Sequence, residues 1–241
     1  MTLVELLVAL AIGSFLMIGA VQVYNQSRQA FIINESIARV QETAQFAMDT
    51  IEADLRMASN WGRHSRGVAI EGRSVLGNAN PNGLAAPATC GADWALDLGH
   101  PVVGSNNAYT LPCAATGTGG AQANSDVVTT RRATVAPTGL SGAPGRLQVQ
   151  TTRIQGALFD DGVMPTGFTA ADSETHDLLV NSYYVAASST LIPGVPTLRR
   201  KTLVQIGGAP AVTDQEVAPG VENMQLQFGV DVDDDNTVDR Y

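Results

Sequence analysis

Asp231, Asp233, Asp235, Thr237 and Asp239 stand at alternate positions near the end of the chain. Oxygen ligands suit a hard cation, and this run follows the 1, 3, 5, 7, 9 pattern of a twelve-residue calcium loop. Thr237 would contribute its main-chain carbonyl. Asn236 stands where that loop carries glycine, and Asn tolerates the left-handed conformation better than most residues. The bidentate glutamate of position 12 would follow Tyr241, so the expected Ca2+ affinity is weak, at ~10⁻⁴ to 10⁻³ M. A solvated acidic turn between strands is the competing reading, and no cofactor is required by either.

Cys90 and Cys113 enclose 22 residues. An even count in an exported domain reads as one disulfide, and closing that loop is worth ~3 kcal/mol by chain entropy. There is no CxxC, and the spacing around His100 matches no zinc pattern. Other catalytic parts are missing from the sequence. It has no GxSxG elbow, no HExxH and no phosphate-binding glycine loop followed by lysine. His64, His100 and His176 read as surface or satisfied histidines. Asp160, Asp161, Asp172, Glu174 and Asp177 read as solvated turns. The expectation is a protein that is not an enzyme and has no small-molecule substrate.

The elements that carry these residues fall into two halves. All 11 prolines lie at or after Pro81, and of the 24 glycines only Gly13 and Gly19 precede Gly62. The first 60 residues therefore read as helix and the remainder as a turn-rich domain. With 14 Lys and Arg against 23 Asp and Glu, the net charge of −9 speaks against a nucleic-acid partner and against a polybasic membrane-surface protein. The hydrophobic fraction of 44% excludes bulk disorder.

Leu6 to Tyr24 is an uncharged, mostly apolar run of 19 residues. At ~1.5 Å per residue it spans roughly 28 Å, about a bilayer core. No basic residue precedes Arg28, which argues against a cleaved secretory signal and for a retained transmembrane helix. Helical patterning continues beyond it. Ile33, Ile37, Val40, Ala44, Ala47, Met48, Ile51 and Leu55 form one apolar stripe, expected to hold the helix to its own head domain. Glu35–Arg39 and Glu52–Arg56 are i, i+4 pairs in the favourable order. One helix from about residue 2 to 58 is predicted, with residues 1–24 as the membrane segment.

Glu5 is the only charge in the first 27 residues. A carboxylate inside an apolar helix is costly and usually has a partner. The string Thr2-Leu3-Val4-Glu5-Leu6-Leu7-Val8-Ala9 resembles the start of mature type IV pilins and pseudopilins. That resemblance implies a prepilin peptidase acting before Met1 and methylation of the new N-terminus. It also implies a Glu5 that pairs with the amino terminus of a neighbouring subunit during assembly. Residue 1 is Met where the family most often has Phe, and Gln22 stands where many major pilins have a helix-loosening proline. The basic leader lies outside the sequence, so the chain is expected to be already mature or clipped at its start.

Residues 62–125 are loop-rich and expected to form a variable, surface-exposed region. Strands are expected within 126–135, 146–154, 177–187, 198–206 and 224–230, giving a β-rich segment 126–241. The fold class is therefore α+β and pilin-like, with a long N-terminal helix on an antiparallel sheet, and 61–241 forms the head. The strings VNSYYVAAS, PTLRRKTL and GVENMQLQFGVDVDDDNTVDRY resemble the C-terminal half of the minor pilin family PilW. PilW-like chains commonly run well past the aspartate-rich stretch, so the C-terminus is expected to be incomplete or unusually short.

The resemblance implies a minor pilin that primes pilus assembly. Its implied partners are other minor pilins, the major pilin and the inner-membrane assembly platform. The implied location is the bacterial inner membrane before assembly and the pilus at the cell surface afterwards. The alternative is a J-type minor pseudopilin of a type II secretion system. Adhesion by the head is a further role, and the residues do not choose between twitching motility, DNA uptake and secretion as the output.

Overall fold

A computed structural model of the chain describes residues 2–229, 232–233 and 237–240. The chain divides into two units, one up to Gln45 and one from Phe46 onward. Helix α1, Leu3–Met57, runs for 55 residues and begins in the first unit and ends in the second. Nothing in its sequence breaks it, since it lacks proline and holds only two glycines, Gly13 and Gly19, in 55 residues. It stops at Ser59, which takes a left-handed conformation at φ 68°. The expected i, i+4 pairs Glu35–Arg39 and Glu52–Arg56 are formed on exposed faces.

Within the second unit the predicted apolar stripe is buried in part: Ala47 and Ile51 are buried, Leu55 is half-buried and Met48 is exposed. Ala47 and Ile51 pack with Val128, Tyr183, Val185, Leu198 and Met224.

Among the described residues, eight strands form one mixed sheet that is mostly antiparallel. They are β1 (Ile70–Glu71), β2 (Val102–Ser105), β3 (Val127–Ala133), β4 (Gln148–Thr151), β5 (Gly156–Phe159), β6 (Glu174–Ala186), β7 (Thr197–Ile206) and β8 (Ala209–Pro219). The order is β1-β5-β4-β6-β3-β2, with β7 on β6 and β8 on β7. The short β1–β5 pair is parallel, which departs from a wholly antiparallel sheet. The thirteen-residue β6 is central, pairing with β3, β4 and β7. Successive side chains on a strand face opposite ways, so Tyr183 and Val185 join the α1 cluster while Val180 joins a second core.

That second core corrects the expectation for residues 62–125. Cys90, Trp94, Ala95, Leu96, Leu98 and Cys113 are buried in it together with Trp61, Val149 and Leu158. The short helix α2, Gly91–Leu96, supplies Trp94, Ala95 and Leu96. The segment therefore has many loops and still covers one face of the sheet.

The end of the chain differs from expectation twice. β8 follows a two-residue turn, Gly207 and Gly208 at φ 61° and 79°, which is the tight hairpin geometry that glycine serves best. Residues 224–229 form no strand, although their alternation predicted one. There the Leu226 N–H donates to Asp126 Oδ2 at 2.7 Å, and the Asp126 N–H donates to the Met224 carbonyl at 2.9 Å. A side chain replaces the ladder, and Asp126 is itself buried.

Candidate functional site

The helix N-terminus is closed by its own residues. The Thr2 N–H donates to Glu5 Oε2 at 2.9 Å, and the Glu5 N–H faces Thr2 Oγ1 at 3.4 Å. This is the reciprocal capping box that a Thr-x-x-Glu spacing permits, and it satisfies main-chain donors that begin a helix without partners. The expected partner of Glu5 is a neighbouring subunit's amino terminus; within the isolated chain its carboxylate accepts from the Thr2 N–H. Met1, the expected processing position, lies outside the described residues. From Leu3 onward α1 is long and apolar enough to cross a membrane.

Within the second unit, Asp54 anchors the helix to the sheet. Its side chain is 6% exposed, and Oδ1 accepts from Arg132 Nε at 3.0 Å and Nη2 at 2.8 Å. Oδ2 accepts from Asn181 Nδ2 and from the Tyr183 hydroxyl, both at 2.6 Å. Arg132 stands on β3, and Asn181 and Tyr183 on β6, so one carboxylate joins three elements. Burial pushes the Tyr183 phenol up, and its hydrogen bond to Asp54 adds to the effect. Sequence reasoning missed Asp54 because a charge reads as solvated. Its signal was its position, three residues past Ile51 and seven past Ala47, on the buried face.

A second buried network occupies the other face of β6, β7 and β8. Asp214 Oδ1 accepts from Arg199 Nε at 2.6 Å, and Oδ2 accepts from Lys201 Nζ and the Tyr184 hydroxyl, both at 2.7 Å. Burial alone would raise the Asp214 carboxyl, but the Lys201, Tyr184 and Arg199 bonds together hold it below the usual carboxylate range. Burial likewise opposes ionisation of Glu216, and bonds from Ser189 and Thr190 outweigh it and keep that carboxyl low. Burial pushes the Tyr184 phenol up to about 12, against the Thr116 N–H and with the neighbouring Asp214. The run Arg199-Arg200-Lys201 is thus split. Arg199 and Lys201 face Asp214, and Arg200 faces Gln215 at 3.2 Å.

Cys90 and Cys113 are joined as a disulfide, with their Cα atoms 4.5 Å apart. His100 Nδ1 lies 3.0 Å from both carboxylate oxygens of Asp97, and His176 Nδ1 lies 2.8 Å from the Thr134 carbonyl. Of the calcium candidates, Asp231 and Asp235 lie outside the described residues. Asp239 Oδ2 accepts from the Val232 N–H at 2.6 Å. Among the described residues, no three His, Cys, Asp or Glu side chains gather to hold a metal.

Residues 182–241 match the family model of the type IV pilus-assembly protein W. No curated protein and no solved structure matches the chain. The matched segment begins in β6 and takes in β7, β8 and the acidic end. The match points to type IV pilus assembly, and a long apolar N-terminal helix fits membrane association.

Proposed function

We propose that this chain is a minor pilin, held in the inner membrane by α1 until it is incorporated into, and helps to prime, a type IV pilus. The observation that carries the reading is the combination of the family match over residues 182–241 with an apolar helix that places its only early charge at Glu5. In the free chain Glu5 caps its own helix. On assembly the same carboxylate would exchange Thr2 for the amino terminus of a neighbouring subunit, compensating two charges inside an apolar bundle. The role is structural. The buried ion pairs at Asp54 and Asp214 hold the end of α1 and the β7–β8 hairpin in place. The partners of this reading are the other minor pilins, the major pilin and the inner-membrane assembly platform, with a prepilin peptidase to expose Met1.

The test is the intact mass and N-terminal peptide of the native protein, taken from sheared filaments and from membranes. An N-methylated Met1 in the filament fraction supports the minor pilin. A longer, unmethylated N-terminus found only in membranes refutes it. A methylated chain confined to the cell envelope would move the assignment to the pseudopilin of a secretion system.

A further inference from the structure

A cleft of about 850 Å³ opens on the head, over the sheet face that carries Thr129 and Arg131. Its walls are the turn at Val75–Asn78, the end of α2 and strand β2. The floor is fixed. Arg131 is buried and donates to three main-chain carbonyls, those of Trp94 at 2.9 Å, His100 at 2.7 Å and Asp93 at 3.5 Å. Trp94 Nε1 donates to Ser182 Oγ at 2.8 Å, and Thr129 shares a hydrogen bond with the same hydroxyl.

The walls are fixed as well. Two main-chain bonds of 3.0 and 2.9 Å close the Val75–Asn78 turn. The Ser74 N–H ties it to the Leu96 carbonyl at 2.8 Å, and the Ser74 hydroxyl donates to the Asp93 carboxylate. This well-held turn displays Leu76 fully to solvent, and Val68, Val75 and Val103 are also exposed around the cleft. Rigidly presented apolar groups beside a polar concavity are what a ligand site needs and what a solvated surface avoids.

The chemistry of the lining narrows the ligand. Arg73 and Arg131 balance Asp93 and Asp97 in formal charge. An anion would meet Asp93 and Asp97, and a polycation would meet Arg73. A purely apolar ligand would strip water from Arg73, Asp93 and Asp97 without replacing its hydrogen bonds, while Arg131 is already satisfied by main-chain carbonyls. A peptide added along β2 would find only four residues of edge. On the other face of that edge the Phe228 ring lies where a Cβ on Gly104 would come within 2.6 Å of it. A neutral polyhydroxylated chain meets every condition. Its hydroxyls donate to Asp93 and Asp97 and accept from Arg73 and Asn78, while its C–H faces lie against Val75, Leu76 and Val103. We propose that this cleft binds a short neutral oligosaccharide.

The full chain in phospholipid nanodiscs, free of sugar-based detergent, is screened by saturation-transfer NMR against neutral oligosaccharides, sialylated and sulfated oligosaccharides, and extended peptides. The expected result is saturable binding of a neutral oligosaccharide. Asp97→Asn and Leu76→Glu should each weaken it about tenfold, the loss expected when one charged hydrogen bond or one apolar contact is removed. Leu76→Glu changes only a fully exposed side chain, so it reads the site even if Asp97→Asn impairs folding. Absence of binding by any neutral oligosaccharide overturns the proposal. So does preferential binding of a charged oligosaccharide or a peptide, or binding that both variants leave unchanged. The test does not draw on pilus assembly, so a negative result leaves the minor-pilin reading intact.

Discussion

Asp54 on α1 and Arg132 on β3, 78 residues apart in sequence, meet through two hydrogen bonds of 3.0 and 2.8 Å to a single carboxylate oxygen. Both side chains are largely buried, so removing either leaves the other charge without its partner in a dry site. Breaking such a pair costs roughly 3–5 kcal/mol. Asp54→Ala should therefore lower the stability of the head by that order. Arg132→Leu should cost less in an Asp54→Ala background than in the wild type, because the two changes remove one interaction. Denaturant unfolding followed by the fluorescence of buried Trp61 and Trp94 measures both. An Asp54→Ala variant as stable as the wild type would refute the anchor.

Asp214 and Glu216 make stability depend on acid. Each carboxyl is held below its ordinary value in the folded chain. Their contribution is complete above the unfolded values near ~4 and disappears as pH falls through the lower folded ones. The thermal midpoint should therefore fall between about pH 5 and pH 3. Lys201→Met removes one cause of the Asp214 shift and should move that loss to higher pH. A flat acid profile in the wild type would contradict the network.

Tyr184 gives the opposite limb. Its phenol is held up to about 12 by burial, so the folded chain keeps a proton that the unfolded chain releases near pH ~10. Stability present below the unfolded value should be lost as pH rises through the folded one. Tyr184→Phe cannot ionise and should remove its own share of the alkaline loss, while Tyr183 and Tyr109, also pushed up by burial, keep theirs, as read by ultraviolet titration of phenolate beside circular dichroism.

The Cys90–Cys113 bridge closes a loop with a sequence separation of 23. Replacing both cysteines by serine should cost ~3 kcal/mol. The oxidised chain should also run faster than the reduced one on a denaturing gel. Equal mobility with and without reductant would show that the bridge is not formed in the native protein.

Gly67 is required for space. A Cβ there would lie 1.8 Å from the Leu98 carbonyl oxygen, a main-chain atom that cannot swing aside. Gly67→Ala should destabilise by about 1–3 kcal/mol through overpacking. Gly83→Ala meets no atom within 4 Å and carries only the strain of its φ of +65°. A Gly67 variant milder than the Gly83 variant would invert the expectation.

Glu5→Ala should leave the head folded and reduce incorporation into filaments, read as the ratio of this chain to the major pilin in sheared material. Thr2→Val removes the hydroxyl that faces the Glu5 N–H but keeps the Thr2 N–H bond to Glu5. It should therefore be milder. Normal incorporation of Glu5→Ala would remove the assembly role of that carboxylate.

Strands were legible where β-branched residues cluster or apolar residues alternate, as in β3, β4, β6 and β7. β8 was not, because Pro210, Pro219, Asp214 and Glu216 look like breakers. Among the described residues it pairs with β7 alone, and proline is tolerated on such an edge strand. The paired Gly207-Gly208 was the signal that pattern reading passed over. Alternation misled at Met224, Leu226 and Phe228, where the Ser125 and Asp126 side chains take the Met224 and Leu226 N–H groups that a strand would pair. The cysteine pair and the apolar helix were readable from sequence. Asp54 was not, since a carboxylate earns its place in a core only through partners that lie far away in the chain.

Asp54 also decides how the molecule bears load. A pull on the end of α1 reaches the head through the covalent link from Ala58 to Gly62, through the packing of Ala47 and Ile51, and through the carboxylate held by Arg132, Asn181 and Tyr183. The carboxylate divides that tension between β3 and β6, two neighbouring interior strands of the sheet, so a load on the helix would be borne by the central ladder as well as by the covalent link.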